Sequence, residues 1–344
     1  MNGLIELERE VISTGRCTGC GACTTFCPRM KKTRALPNAQ TIRGLFRGER
    51  TRVNCDECET CYNVCPASPS LDRSLLKEET IGDTIPLFLA GQITDKRLHE
   101  LSHDGGIATA ITEYLLSKGE RVAVTVEDRR YPLKTLHTTL RAPGEATSAA
   151  GTRYGTTPNT LSLREDPACF IGLGCHITAI RRAESKGLIK PPLLIGLFCM
   201  RNINYQNLLK LLGKKGVKRE DVREIRIEEN HVKIKRRGDP DSDLAVSLEE
   251  VRDLFRDECR FCPDFTAELA DISIGSTGTP DGWSTIIIRT RRGRELIERL
   301  VESGAIRTTD TVNRDAIERL AKLKIQESEK PAAPTSPGRE PLSP

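Results

Sequence analysis

The sequence predicts an α/β (α+β) domain preceded by a small cysteine-bound module, and three observations carry that expectation. Eight of the 13 cysteines fall in two short runs before residue 66. From about residue 76 to 325, apolar runs of strand length alternate with segments of helical periodicity. No apolar stretch reaches the roughly 20 residues of a membrane-spanning helix; the longest, from Pro191 to Met200, is of strand length. With 344 residues, 37% hydrophobic and 29% charged, the chain has the balance of two or three globular domains and needs no disulfides to fold. Aromatics are only 4% and the net charge is +5, which argues against a stacking platform for single strands and against nucleic acid as a partner. The start, MNGLIELEREVIST, carries acids and no apolar h-region, so the expected location is the cytoplasm.

The first element, residues 1–75, is read from the cysteines. Cys17-TG-Cys20-GA-Cys23-TTF-Cys27-Pro28 and Cys55-DE-Cys58-ET-Cys61-YNV-Cys65-Pro66 both follow the C-x2-C-x2-C-x3-C-P pattern of bacterial-type ferredoxins. Three thiolates spaced by three residues wrap one 4Fe-4S cube, and the fourth ligates the other. Cys17, Cys20, Cys23 and Cys65 are therefore expected on one cluster, and Cys55, Cys58, Cys61 and Cys27 on the second. Zinc takes four thiolates rather than eight in this rhythm, and disulfides are unexpected in a reducing compartment. The insert between Pro28 and Val53 holds Arg29, Lys31, Lys32, Arg34, Arg43, Arg47, Arg50 and Arg52 against the single acid Glu49. That run reads as a solvated loop, or as a dock for an acidic partner or an anionic membrane surface.

The second element, residues 76–325, alternates. GIATAITEYLLSKG (105–118) has a helical apolar face and RVAVTV (121–126) is a strand. A strand at 168–172, a helix at about 176–186 and a strand at 193–198 follow. NYQNLLKLLG reads as a helix ended by Gly213, and REIRIEENHVKIKRR as a hairpin around Glu229 and Asn230. STIIIRT (284–290) is a strand and RELIERLVESG a helix. The third element, 326–344, is Pro-rich and expected to be an extended tail. Cys175 and Cys199 each follow an apolar strand-like run, and strand ends of an α/β sheet share one edge, so both could meet the bare Cys259-RF-Cys262 pair. On spacing alone that pair stays open between a zinc half-site, a redox dithiol and half of a cluster site. Cys169 reads as a buried apolar thiol.

Several loops suit a ligand with close backbone approach. His103-Asp104-Gly105-Gly106 opens a helix, either as an anion site or as an ordinary start capped at or near Asp104. Ala150-Gly151-Thr152-Arg153-Tyr154-Gly155 offers a hydroxyl, a cation and glycines, and the stretch from Gly275 to Ser284 is denser still. None matches the dinucleotide fingerprint or the P-loop.

Taken in order, HDGGIATA, AAGTRYGTTPN, FIGLGCHITAIRR, IGLFCMRN and CRFCPDFTAELADISIGSTGTPDGWSTIIIRT resemble the family of coenzyme F-420-reducing hydrogenase beta subunits over roughly residues 98–325. The resemblance implies that family's own FAD-binding fold, with a third 4Fe-4S cluster on Cys175, Cys199, Cys259 and Cys262. It places FAD among Gly105, Gly106, Thr109, Thr152, Arg153, Tyr154, Asn159, Gly275, Ser276 and Trp283. His103 stands where the hydrogenase subunit has glutamine. The two-cluster module fused in front resembles the electron-input subunit of archaeal F-420H2 dehydrogenases. The activity so implied is oxidation of reduced F-420 by hydride transfer to FAD, with single electrons leaving through the clusters to other subunits of a membrane-bound redox complex. Arg201 and Lys134 are candidate cations for the anionic end of F-420. The alternatives are the beta subunit of an F-420-reducing formate dehydrogenase or hydrogenase, a ferredoxin-dependent pigment-type reductase, and a flavin-free relay. Association with the membrane would come through partners, since no span is present.

Overall fold

A computed structural model describes residues 2–28, 30, 57–69, 86–228, 230–238 and 243–330. Cys55, the basic run except Pro28, and the tail from 331 lie outside these residues.

The centre is a mixed eight-stranded sheet in the order β11-β1-β10-β9-β5-β4-β2-β3. Its strands are β1 (Leu87–Ile93), β2 (Val122–Glu127), β3 (Thr135–Leu140), β4 (Cys169–Leu173), β5 (Leu193–Leu197), β9 (Ile272–Gly275), β10 (Ser284–Ile288) and β11 (Ile306–Thr309). The inner strands β2, β4, β5 and β9 run parallel, and β9-β10, β10-β1, β1-β11 and β2-β3 pair antiparallel. The inner runs are apolar at nearly every residue because both faces are covered. On one face Val122, Val124, Ile171, Ile195, Ile272, Ile274, Ile286 and Ile288 pack against helices α5 (Ile107–Ser117) and α9 (Arg291–Glu302). On the other, Ala123, Phe170 and Leu194 pack against α7 (Gly174–Ser185).

The cysteine module shares that second core. Cys20, Ala22, Phe26 and Val64 belong to the same buried cluster as α7, so the module is fused to the α/β domain rather than strung from it. It contains α1 (Gly3–Leu7) and two short helices in matching places of the two cysteine runs, α2 (Ala22–Thr25) around Cys23 and α3 (Thr60–Asn63) around Cys61.

Between β5 and β9 lies an inserted lobe. It holds α8 (Tyr205–Lys214) and an antiparallel sheet of β6 (Val222–Glu228), β7 (His231–Arg236) and β8 (Leu244–Ser247) around its own core of Ile203, Leu208, Leu212, Val232 and Ile234. The hairpin turn falls at Asn230, with φ +64, as its sequence suggests. Two helix ends differ from the sequence reading. Gly213 lies inside α8, and Gly216, with φ +67, makes the left-handed exit. The C-terminal helix α10 spans Arg314–Glu329, capped by the Asn313 side chain, so the boundary placed at 325 falls within a helix. Its continuation is physically ordinary: the run AIERLAKLKIQESE holds no helix breaker, and the first is Pro331, which cannot extend it.

Candidate functional site

Because β4, β5 and β9 are parallel, their C-terminal ends open on one edge. Cys175 is the second residue of α7, immediately after β4, and Cys199 stands just past β5, held by its N–H to the Phe265 carbonyl at 2.9 Å. Cys259 and Cys262 come from a turn at Asp257–Phe261, closed by Cys262 N–H donating to the Cys259 carbonyl at 3.2 Å. Glycines bring that segment onto the strand ends. A Cβ at Gly174 would lie 2.4 Å from the Asp264 carboxylate, and one at Gly196 would lie 2.3 Å from the Ala267 Cβ.

The four thiols line one cavity, together with Thr18, Gly155, Asn202, Arg256 and Lys324. Burial pushes the Cys175 thiol well up and the Cys199 thiol to about 12, and raises Cys262. Neighbouring thiols add to the rise at Cys175 and Cys199. Burial thus favours the neutral, protonated form of these thiols in the chain by itself. Asn202 N–H already donates to Cys259 Sγ at 3.4 Å. Among the described residues no three His, Cys, Asp or Glu side chains converge on a single ion. Thiolates on one tetrahedral ion at bonds of about 2.3 Å would stand about 4 Å apart; a four-iron cube spreads them wider and needs room between them.

Cys17, Cys23, Cys61 and Cys65 pack in one small apolar cluster, and Cys20 lies close enough to act on Cys23. Cys23 is raised by burial and by Cys17, Cys20 and Cys65, and burial with Cys17 takes Cys20 to about 11. Cys61, expected on the other cluster, also acts on Cys23. Cys27, Cys58 and Cys61 are half-buried free thiols, and Cys55 is outside the described residues. The module is bolted to the strand-edge site through its backbone. Arg256 donates to the Thr18 and Cys17 carbonyls at 2.9 and 3.3 Å, Arg182 to the Cys65 carbonyl, and Thr160 Oγ1 to the Cys20 carbonyl at 2.8 Å. A second cavity is lined by Thr18, Pro66 and Ala67 of the module and by Cys175, Phe261 and Cys262 of the strand-edge site.

The polar loops gather at the same edge, but their residues divide. Gly105 is demanded by packing: its Cβ would meet the Gly91 carbonyl at 2.1 Å and Ser284 N at 2.5 Å, and its N–H already donates to Ser284 Oγ at 3.0 Å. Gly106, with φ +68, is the cap of α5 and donates to the His103 carbonyl at 3.1 Å. The expectation of a cap at Asp104 is thereby corrected, and an anion at this helix would meet first-turn N–H groups instead. Thr109 is buried and accepts from Ser102 Oγ at 2.9 Å. Asn159 exchanges two bonds with Thr125, at 3.0 and 2.8 Å. Gly275 admits the Phe198 ring, 2.0 Å from where a Cβ would stand. Ser276 is exposed, and Trp283 is half-buried with the Arg307 guanidinium 5.1 Å from its ring centre. Thr152, Arg153 and Tyr154 are half-buried, and Gly155 is clamped by the Asn202 side chain at 2.9 and 2.8 Å. Arg153 Nε is buried with no hydrogen-bond partner among the described residues, while its Nη1 donates to the Thr152 carbonyl at 3.3 Å. The other cations proposed from sequence are engaged: Arg201 pairs with Glu327 at 2.7 Å, and Lys134 lies 5.0 Å from the Tyr131 ring centre. Cys169 is fully buried, as expected.

His103 joins this edge to the inserted lobe. Its Nε2 lies 3.0 Å from Asp104 Oδ2 and its Nδ1 3.6 Å from Glu224 Oε1, which is also paired with Arg226 at 2.6 Å. Burial lowers its pKa, but the nearby Asp104 and Glu224 carboxylates outweigh this and raise it to about 9. A histidine stabilised in its charged form contributes fully below its unfolded value of about 6.5 and loses that contribution as pH climbs through 9. The thermal stability of the native chain relative to His103→Gln is therefore expected to fall between pH 6.5 and 9. A difference that stays flat across that window contradicts the assignment.

Lys324, Arg256, Asn202 and Thr18 were not singled out from the sequence. Burial lowers the Lys324 pKa, but Cys262, Cys199 and Asp264 more than compensate and raise it.

Among known proteins, the family described as coenzyme F-420 hydrogenase/dehydrogenase beta subunit matches in two parts, its N-terminal part at residues 88–164 and its C-terminal part at 166–314. A 4Fe-4S dicluster domain matches residues 9–66. The coenzyme F-420 hydrogenase subunit beta of Methanococcus voltae is 32% identical over 265 residues, covering 70% of this chain and 91% of that protein. A subunit of the F-420H2 dehydrogenase of Methanosarcina mazei is 28% identical over 304 residues, covering 84% of this chain and 83% of that one. A chain in the solved structure of the F-420-reducing NiFe hydrogenase complex from Methanosarcina barkeri superposes with a TM-score of 0.66 at 28% identity, covering 70% of this chain and 89% of its own. The chain thus belongs to the family of coenzyme F-420 hydrogenase/dehydrogenase beta subunits and carries a 4Fe-4S dicluster domain at its N-terminal end.

Proposed function

We propose that this oxidoreductase takes a hydride from reduced coenzyme F-420 and delivers single electrons, through the strand-edge site and then the dicluster module, to another subunit of a membrane-associated redox complex. The observation that carries the reading is the convergence of Cys175, Cys199, Cys259 and Cys262 on one cavity whose wall includes Gly155 of the Thr152-Arg153-Tyr154 loop on one side and Thr18 of the dicluster module on the other. Those four cysteines would hold a third 4Fe-4S cluster. Cys17, Cys20, Cys23 and Cys65 would hold the first, and Cys55, Cys58, Cys61 and Cys27 the second.

FAD bound beside Arg153 supplies the junction between two-electron hydride chemistry and one-electron transfer. The chain's own part is binding and exclusion of water. Arg153, with its orphaned Nε, would meet an anionic group of the flavin cofactor, and Thr152, Tyr154, Ser276 and Trp283 would frame it. Gly105, Gly106, Thr109, Asn159 and Gly275 shape the cradle by packing and internal hydrogen bonds. Arg256, Arg182 and Thr160 hold the two thiol sets at fixed separation, which electron transfer requires. Among the described residues no helix is long and apolar enough to cross a membrane, so attachment to one would come through a partner.

A second reading, the beta subunit of an F-420-reducing hydrogenase or formate dehydrogenase, runs the same site in reverse and is favoured by the hydrogenase-complex superposition. The dicluster module and the match along 83% of an F-420H2 dehydrogenase subunit favour the oxidising direction. The test is anaerobic reconstitution with iron, sulfide and FAD, followed by viologen reduction with F-420H2, NADH or formate as donor. Reduction with F-420H2 alone is the expected result. A loaded protein inert to F-420H2 contradicts the proposal.

A further inference from the structure

The four-cysteine cavity has one wall whose contribution neither the cysteine motifs nor the matched family segment accounts for. It comes from α10, which lies beyond residue 314, where the family match ends. Lys324 of this helix is 4% exposed and lines the cavity with the four thiols. Its Nζ donates to the backbone carbonyl of Cys199, one of the four cysteines, and to that of Asp264 at 2.6 Å. The helix is held over the site by a second tie, Glu327 to Arg201 at 2.7 Å, two residues past Cys199. The side chain is fixed by two bonds, and its ammonium is withheld from water.

A buried ammonium whose hydrogen bonds go only to carbonyl oxygens, with the Asp264 carboxylate nearby but not bonded to it, gains further from a cavity that becomes anionic. A cluster ligated by four thiolates is anionic and becomes more so on reduction. The Coulomb interaction in a dry site is strong, and it favours the reduced state. We propose that Lys324 is the buried countercharge of the four-cysteine site, a positioning residue that helps the site retain its cluster and raises that cluster's reduction potential. The inference rests on the third-cluster reading above. Asp264 contributes its carbonyl rather than its carboxylate to the bond, and Arg256 donates to the Cys17 and Thr18 carbonyls. Lys324 is thus the lining cation tied directly to a cysteine of this set.

The experiment compares the native chain with Lys324→Gln and Lys324→Arg, each fully reconstituted, by iron content and by EPR-monitored redox titration. The signal of the third cluster is identified as the one missing from Cys259→Ser. K324Q keeps a hydrogen-bond donor without the charge. Its reduced-to-oxidised ratio for that cluster at fixed potential is expected to fall at least about tenfold, a midpoint lower by about 59 mV for one electron, with the dicluster signals unmoved and K324R close to native. Loss of about four iron atoms from K324Q alone, with K324R retaining them, equally supports a countercharge. A third-cluster midpoint unchanged within twofold in K324Q overturns the inference, leaving Lys324 as a clamp on α10, and so does K324R behaving as K324Q. A native chain with no third signal overturns the cluster reading itself, which keeps the two failures apart.

Discussion

Replacing Cys259 by serine is expected to leave a folded chain with about eight iron atoms in place of about twelve. Electron output from F-420H2 to viologen should fall by at least about a hundredfold, or about 2.7 kcal/mol in barrier terms. The residue lies on a turn between the inserted lobe and the sheet, outside the main hydrophobic clusters, so the loss should be one of function. The thiolate is the missing part: a serine hydroxyl at the Asn202 N–H cannot replace a soft, deprotonated sulfur on iron. Iron content and anaerobic turnover check this. Native iron content with output within twofold would remove Cys259 from the electron route.

Asp271→Ala tests the opposite edge of the same sheet and should do the reverse. Asp271 is 1% exposed and sits at the entry of β9. Its carboxylate accepts from Arg292 at 2.7 and 2.8 Å, Arg181 at 3.2 Å, Thr290 Oγ1 at 2.8 Å and Leu194 N–H at 2.8 Å. One side chain thus ties β5, β9, α7 and the start of α9. Burial pushes its carboxyl up, and Arg292 and Arg181 reverse this and hold it below the ordinary range. Removing it leaves Arg181, itself 2% exposed, without its most buried anion. The expected loss is about 3–5 kcal/mol, read from denaturant midpoints of the loaded protein. A loss below about 1 kcal/mol would show that Glu184 and the Leu269 carbonyl satisfy Arg181 unaided.

These two residues mark what could be read from the chain and what could not. The dicluster domain was legible because its cysteine spacing is local: a thiol at every third residue is itself the geometry of a cluster loop. Cys175 and Cys199 were half-legible, since an apolar run ending in a cysteine places it at a strand end, but their meeting with Cys259 and Cys262 is a long-range event. It depends on Gly174 and Gly196 admitting the 264–270 segment onto the strands. Lys324 carried no signal, because a lysine on an amphipathic helix looks solvated until the helix is seen folded over a cavity. The glycines of the 103–106 stretch were legible as a close backbone approach, but not as to what approaches. Gly105 serves a close crossing with Gly91 and Ser284, and a packing glycine is indistinguishable in sequence from one that admits a ligand. The fusion of the module to α7 was likewise hidden, since Phe26 and Val64 look like the private core of a small domain.

The central claim, that one continuous route joins F-420H2 to the iron–sulfur centres, is tested most directly without any external acceptor. The loaded chain is mixed anaerobically with F-420H2 in a stopped-flow cell, and the deazaflavin absorbance is followed while samples are frozen for EPR. The account predicts that oxidised F-420 appears in a burst and that reduced-cluster signals grow in with it, from the third cluster as well as from the dicluster pair. F-420H2 remaining reduced beside fully loaded, fully oxidised clusters would contradict it.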